Sequence, residues 1–309
     1  MVSNYTIIEG KITECGNDAA SIILYISPDE TERKHLIDDL KIDEHNLLSS
    51  LDPDEVARIE YEPDHVALII KRPKNYSTED NYLFKISSMG MFVYVDKLII
   101  VMTDDMGILK GKLFNKVQSL NDVMLKIIFG IISHFFGHLK VINMISDSLE
   151  QKINIAMENK YLTNMFSLEK SLVYYLNAIN SNTMVFDKLK LNSARLGLSE
   201  ESREYLDDIH IENNQCYRQA EIYANILASL MDARASIVNN NLSILMKTLN
   251  IITICIMVPT FVVSAFSMNV AIPFKNHPVA FWIILGIGFL ALAVFIIAYV
   301  GFFSRRKRL

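Results

Sequence analysis

The hydrophobic and polar positions of this 309-residue chain fall into three successive patterns. Up to about residue 115, short runs rich in β-branched and aromatic residues alternate with turn residues. Tyr5–Ile8, Ser21–Ile26, His65–Ile70, Tyr82–Ser87, Met91–Val95 and Leu98–Met102 predict strands, the last pair joined across Asp96 and Lys97. Glu30–Leu40 and Asp43–Ser50 predict helices, and Pro28, Pro53, Pro63 and Pro73 punctuate the region. Residues 1–120 are therefore expected to form a small α/β or α+β domain.

The second pattern is helical. No proline occurs between Pro73 and Pro259, and helices are expected over about Asn121–Asn159, Asn164–Asn192 and from Ser199 onward, giving a helical stalk region over 121–247. Ser199 is placed to cap the last of these, with Glu200 and Glu201 in its first turn. Between Gly197 and Gly286 there is no glycine. A helix unbroken from Ser199 to Phe266 would be on the order of 100 Å long. That is too long to lie inside one small domain, so it is expected to continue from the stalk into a membrane.

The third pattern is apolar. Thr248–Phe266 and Val279–Phe303 carry no charge, and each is long enough to cross a bilayer core, which takes about 20 residues. They predict two transmembrane helices, 248–266 and 279–303, with an external loop over 267–278 and a basic tail over 304–309. The tail holds Arg305, Arg306, Lys307 and Arg308, whereas the loop holds only Lys275 and His277. The positive-inside bias then puts the C-terminus in the cytoplasm, and two spans return the N-terminus to the same side of the cell membrane. The opening MVSNYTIIEG has no basic and apolar leader pattern, in keeping with a cytoplasmic front portion. Charge and cysteine usage narrow the class further. The net charge of -5 combines an acid-rich front with a basic tail, which makes nucleic acid an unsuitable partner. Cys15, Cys216 and Cys255 have no metal-ribbon or disulfide-framework spacing.

One face of the long helix departs from the apolar pattern. Steps of four and three from Asp232 give Ser236, Asn239, Ser243, Met246, Asn250, Thr253, Met257, Thr260, Ser264 and Ser267, all polar or methionine. The neighbouring positions within the membrane, such as Ile252, Ile254, Phe261 and Val263, are apolar. A serine or threonine in such a helix often bonds its own i−4 carbonyl or joins two helices. A stripe that also holds asparagine and runs the whole span is better explained by a shared wet face. One chain has too few spans to enclose water, so copies of the first span are expected to surround a pore, with the second spans toward lipid. Hydroxyl and amide oxygens without membrane carboxylates suit a hydrated hard divalent cation such as Mg²⁺.

Several of these residues make the chain similar to a known family. Asp207-Asp208, Met231-Asp232, Asn239-Asn240-Asn241-Leu242, Met246-Lys247, Pro259-Thr260 and Phe266-Ser267-Met268-Asn269 before Pro273 resemble the CorA family of divalent-cation channels. The resemblance covers the C-terminal half and the domain-then-helices layout of the front. It implies a funnel-shaped homopentamer that passes Mg²⁺, with Co²⁺ or Ni²⁺ as further cargo, down its electrochemical gradient. Asn269 falls where the family places its selectivity ring, at an outer mouth made by Ser267, Met268 and Asn269. Asp208 falls where intracellular divalent ions hold the pore closed, with Asp64 and Asp80 as candidate partners in the front domain, and Asp232, on the stripe near the inner mouth and able to attract cations, is a second candidate regulatory-metal residue. Arg305 to Arg308 match the basic ring at the inner mouth. Ser267 stands where the family has glycine, and the loop has Lys275 in place of an acid. A Zn²⁺-transporting branch of the same family is the alternative.

Other motifs point away from an enzyme. No phosphate loop, nucleophile elbow or dinucleotide fingerprint occurs. His134 and His138 have the i, i+4 spacing of two metal ligands, but Phe135-Phe136-Gly137 between them lacks the glutamate of a zinc hydrolase. A reading from a different class is a membrane-anchored sensor or scaffold, whose stripe would tolerate apolar replacement.

Overall fold

A seven-stranded sheet organises the front of the protein. The computed structural model describes residues 1–16, 19–77, 80–155, 159–268 and 278–306, with the backbone alone for 153–155, 159 and 300–306. The strands are β1 (Val2–Ile8), β2 (Lys11–Glu14), β3 (Ile22–Ile26), β4 (Arg58–Tyr61), β5 (Val66–Pro73), β6 (Ile86–Val93) and β7 (Leu98–Met102). Their spatial order is β2-β1-β3-β7-β6-β5-β4. Among the described strand pairs only β3–β7 is parallel, so the domain is α+β.

Both faces of the sheet are covered. Helix α1 (Glu30–Lys34), which runs on into a wider π-type turn at His35–Asp39, and α2 (Glu44–Leu51) enclose one core of Leu36, Ile42, Leu47, Phe92 and Val101. Asp29 caps α1 through the backbone N–H groups of Thr31 and Glu32, and Asp43 caps α2 through that of Asn46. On the other face lie α3 (Leu120–Ile155), α4 (Asn159–Leu191) and the first part of α5 (Glu200–Phe266). Leu206, Ile209, Asn213, Cys216, Ala220 and Leu227 form the buried seam of α5, at a repeat of three and four residues.

Polar side chains tie these helices to the strands. Asn182 of α4 accepts from the Lys71 N–H at 2.8 Å and donates to the Lys71 carbonyl at 2.8 Å, as a neighbouring strand would. Ser171 and Ser181 accept from the backbone N–H groups of Phe84 and Ala57.

Two expectations about elements are corrected. The expected strands Tyr82–Ser87 and Met91–Val95 are one strand, β6, paired without a break along β5, and it begins only at Ile86 because Asn81 and Tyr82 adopt left-handed backbone and 80–83 form a turn. Within β6, Gly90 lies opposite Ile69 in the ladder, where a Cβ would overlap the Ser50 side chain of α2. Glu30–Leu40 is not one regular helix, since it widens at His35.

The chain divides into two units, Met1–Met231 and Asp232–Leu309. The second contains the end of α5 and α6 (Ala280–Arg306). Among the described residues, three helices are long and apolar enough to cross a membrane. In α3, 44% of the most apolar window is buried within the protein, against none in α5 and 6% in α6.

Candidate ion-conduction face and acidic cavity

Within the second unit, α5 has two different sides. Ser243, Met246, Asn250, Thr253, Met257, Thr260, Ser264 and Ser267 are all exposed. Ile251, Cys255, Val258, Pro259 and Val262 are partly covered. A Cβ on Gly288 of α6 would lie 3.8 Å from Pro259 Cα and 4.0 Å from Val262 Cβ, so α6 approaches on that side. At about 100° per residue, Thr260 and Val262 point some 200° apart. The polar stripe thus lies opposite the face backed by α6.

The hydroxyls of the stripe have a definite polarity. Ser243 donates to the Asn239 carbonyl at 2.9 Å, Thr253 to Leu249 at 2.9 Å and Thr260 to Ile256 at 2.7 Å. The i−4 bonding expected of such residues therefore uses their protons. It leaves oxygen lone pairs, which are what a cation or its water shell seeks. No Asp or Glu follows Asp232 along the rest of α5, so this face is oxygen-rich and uncharged.

At the end of α5, Ser267 donates its N–H and its hydroxyl to the Ser264 carbonyl at 3.1 and 2.9 Å, and Ser267 and Met268 are exposed. Asn269, Lys307 and Arg308 lie outside the described residues, while Arg305 and Arg306 end α6. Asp232 is exposed at the start of the second unit.

Asp208 borders a cavity of about 630 Å³ with Asp122, Glu201, Glu204, Lys126 and Tyr205. Lys126 pairs with Asp122 at 3.1 Å. Burial, followed by the charges of Asp122 and Asp208, pushes the Tyr205 hydroxyl up to about 12. Sequence reasoning singled out Asp208 but not Asp122, Glu201 or Glu204, which come together only through the approach of α3 and α5. Of the candidate partners, Asp80 is held locally by Lys85 at 2.7 Å and by the Ser77 N–H and hydroxyl, bonds that lower its carboxyl to about 2. Asp64 lines a separate cavity with His65.

His134 and His138 stack edge-on with centroids 4.3 Å apart, and His138 Nδ1 lies 2.5 Å from the Tyr175 hydroxyl. Burial lowers both rings, assisted at His134 by Arg72 and at His138 by His134. Arg72 is fully buried and pairs with Asp104 at 2.7 Å, a contact with no sequence signal because 32 residues separate the two. Among the described residues, no three His, Cys, Asp or Glu side chains are gathered as a preformed metal site.

Residues 18–307 match the family described as CorA-like Mg²⁺ transporter protein. The cobalt/magnesium transport protein CorA of Methanocaldococcus jannaschii is 23% identical over 97% of this chain and 95% of that protein. The complete structure of the M. jannaschii CorA magnesium transporter superposes with a TM-score of 0.79, at 21% identity over 96% of each chain. Full-length CmaX gives 0.70 at 14% identity, covering 100% of this chain and 97% of that one. The cytoplasmic domain of ZntB from Vibrio parahaemolyticus gives 0.60 at 15% identity, covering 77% of this chain and 98% of that one. The structural likenesses establish a shared fold, and the family match spans nearly the whole sequence. The chain belongs to the CorA-like Mg²⁺ transporter family, and is accordingly a membrane protein of divalent-cation transport and not an enzyme.

Proposed function

We propose that this chain is one subunit of a funnel-shaped homopentameric channel that passes Mg²⁺, and with it Co²⁺ or Ni²⁺, down the electrochemical gradient. The first span, 248–266, lines the pore and the second, 279–303, faces lipid. Residues 1–120 and 121–247, with both termini, lie in the cytoplasm, and the loop 267–278 lies outside. The observation that carries this reading is the continuous exposed stripe from Ser243 to Ser267, set opposite the side of α5 that α6 approaches. Such a hydrophilic edge would be unfavourable against acyl chains, and copies turning it to one axis satisfy it with water. The number five comes from the family resemblance. Asn269 supplies amide oxygens at the outer mouth, and Arg305, Arg306, Lys307 and Arg308 ring the inner one.

Internal divalent ions bound at the Asp208 cavity hold the channel closed, and Asp232 contributes along the same helix. The test is flux into proteoliposomes with Mg²⁺, Co²⁺, Ni²⁺ and Zn²⁺ side by side, together with the mass of the purified particle. Mg²⁺ flux that falls in Asn269→Ala supports the channel, and Asp208→Ala is expected to stay open at millimolar internal Mg²⁺. Faster Zn²⁺ flux would shift the reading to the Zn²⁺ branch. A monomeric particle without divalent flux would leave a membrane-anchored sensor.

A further inference from the structure

Methionine is placed differently in the two units. In the first, Met89, Met91, Met102 and Met124 are fully buried and fill the core around the sheet. In the second, the methionines are Met246, Met257 and Met268, and each is more than half exposed. None lies on α6 or among the apolar residues, such as Ile254 and Phe261, that flank the polar stripe of α5. A residue used only to fill apolar space would be scattered among those flanks.

Two of the three share one line. Met246 and Met257 are members of the stripe, and Met268 follows Ser267 just past the end of α5. The eleven steps from Met246 to Met257 make three turns and about 20°, so both side chains leave the helix in nearly the same direction, about 16 Å apart along it. Each sulfur has an oxygen group within a turn. Asn250 is four residues beyond Met246, and Thr253 and Thr260 lie on either side of Met257. The two threonines donate their protons to the Leu249 and Ile256 carbonyls, which leaves lone pairs beside the thioether.

The donor set decides which ion suits it. A thioether is uncharged and polarizable, has no proton to lose, and prefers soft ions. Mg²⁺ takes oxygen ligands, and Zn²⁺ is held by thiolate, imidazole or carboxylate. No Asp or Glu follows Asp232 along α5 to balance a second positive charge. The Born penalty for leaving water grows with the square of the ion's charge, so an uncharged ring of ligands favours a monovalent ion.

We propose that Met246 and Met257 form two thioether sites for a soft monovalent metal ion of the Cu⁺ or Ag⁺ class, each built from copies of one side chain around a common axis. This rests on the shared pore of the proposed function. Conduction requires binding weak enough to release the ion, and an ion held by sulfur leaves slowly. Such an ion is therefore a blocker of Mg²⁺ flux and not a further cargo.

The test uses Ag⁺, which needs no reductant, on the full-length protein in chloride-free medium. The reference protein and every variant carry Cys255→Ala, which removes the thiol of the membrane spans. Cys15, Cys216 and Met268 are common to all and cancel. The double variant Met246→Leu, Met257→Leu keeps the apolar volume and removes the sulfur. In equilibrium dialysis the reference is expected to hold one more Ag⁺ per thioether level than the double variant. In proteoliposomes, the Ag⁺ concentration that halves Mg²⁺ flux, read against each protein's own Ag⁺-free flux, should rise about 10-fold or more in the double variant. Met144→Leu, at a 70% exposed position of α3, should move neither reading. Equal Ag⁺ binding in reference and double variant, an equal half-blocking concentration, or the same losses in Met144→Leu overturns the proposal. A reference protein without Mg²⁺ flux would instead remove the channel reading, and the dialysis would still decide whether the thioethers hold the ion.

Discussion

Helices α3 and α6 are both apolar and long enough to cross a bilayer, yet the protein treats them in opposite ways. In α3, Val123, Ile127, Ile131, Phe135, Leu139 and Ile142 are each 2% exposed or less, covered by the sheet and the neighbouring helices. In α6, Phe281, Phe289, Leu290 and Ile297 remain 62 to 72% exposed. Hydropathy states only that a helix needs a cover; whether the cover is protein or lipid depends on what the rest of the chain can bring against it. Several polar positions of α3, among them Ser133, Lys140 and Asp147, lie outside that buried face, a division absent from α6 until its basic end.

The largest effects should appear where protein is the cover. Phe135→Ala is expected to lose about 3–5 kcal/mol from the unfolding of the front unit, because the cavity it leaves cannot be filled by lipid or solvent. Phe261→Ala, at a position 75% exposed on α5, should alter that unfolding by no more than about 0.5 kcal/mol. Urea titration of the solubilised protein followed by circular dichroism measures both. Comparable losses would mean that the two apolar surfaces are covered in the same way.

Next in size is the polar join between α4 and β5. Asn182→Ala strips partners from both the N–H and the carbonyl of Lys71, which stay buried. About 2–4 kcal/mol is expected from two unsatisfied groups, read in the same titration. A loss under 1 kcal/mol would show that α4 can lift from the strand and admit water.

The same contrast explains what the sequence reveals and what it conceals. The interior strands β3, β5 and β7 are legible because burial on both faces demands unbroken apolar runs. The strands that no pattern announces, β2 and β4, are the two edges of the sheet, carrying Lys11 and Glu14 in one and Arg58 and Glu60 in the other. Charge on an edge strand opposes pairing with another molecule and erases the alternation that would reveal it. The need for glycine at position 90 is concealed for a different reason, since the close approach of Ser50 that requires it comes from an element 40 residues away. The stripe on α5 is legible because helical period alone puts its members in line. The acids around Asp208 are not, because they meet only through tertiary contact.

The stripe itself can be set against its own flank. Asn250→Leu puts an apolar side chain into the hydrophilic edge and should slow Mg²⁺ flux about tenfold, equivalent to about 1.4 kcal/mol on the barrier. Ile254→Leu, four residues on and off the stripe, should leave flux unchanged. If both variants conduct alike, the exposed hydroxyls and amides do not line the path.

The smallest effect concerns the polar interior of the covered helix. Burial, followed by the charge of His134, lowers the His138 ring from 6.5 to about 4. The unfolded chain therefore takes up this proton first as the pH falls. Its contribution to stability is complete above about pH 6.5, declines between 6.5 and 4, and is exhausted below. His138→Phe keeps a ring beside Phe84 and Tyr175, though it removes the partner 2.5 Å from the Tyr175 hydroxyl, so the variant should melt lower at pH 7. Its deficit relative to wild type should then narrow as the pH falls from 7 to 4, since only wild type has a proton to accept at this position. The narrowing should be modest because the ring retains some contact with solvent, which screens part of the penalty. Melting curves of both proteins across that range decide the matter: a deficit that stays constant would show that the acid sensitivity of the front unit lies with other groups.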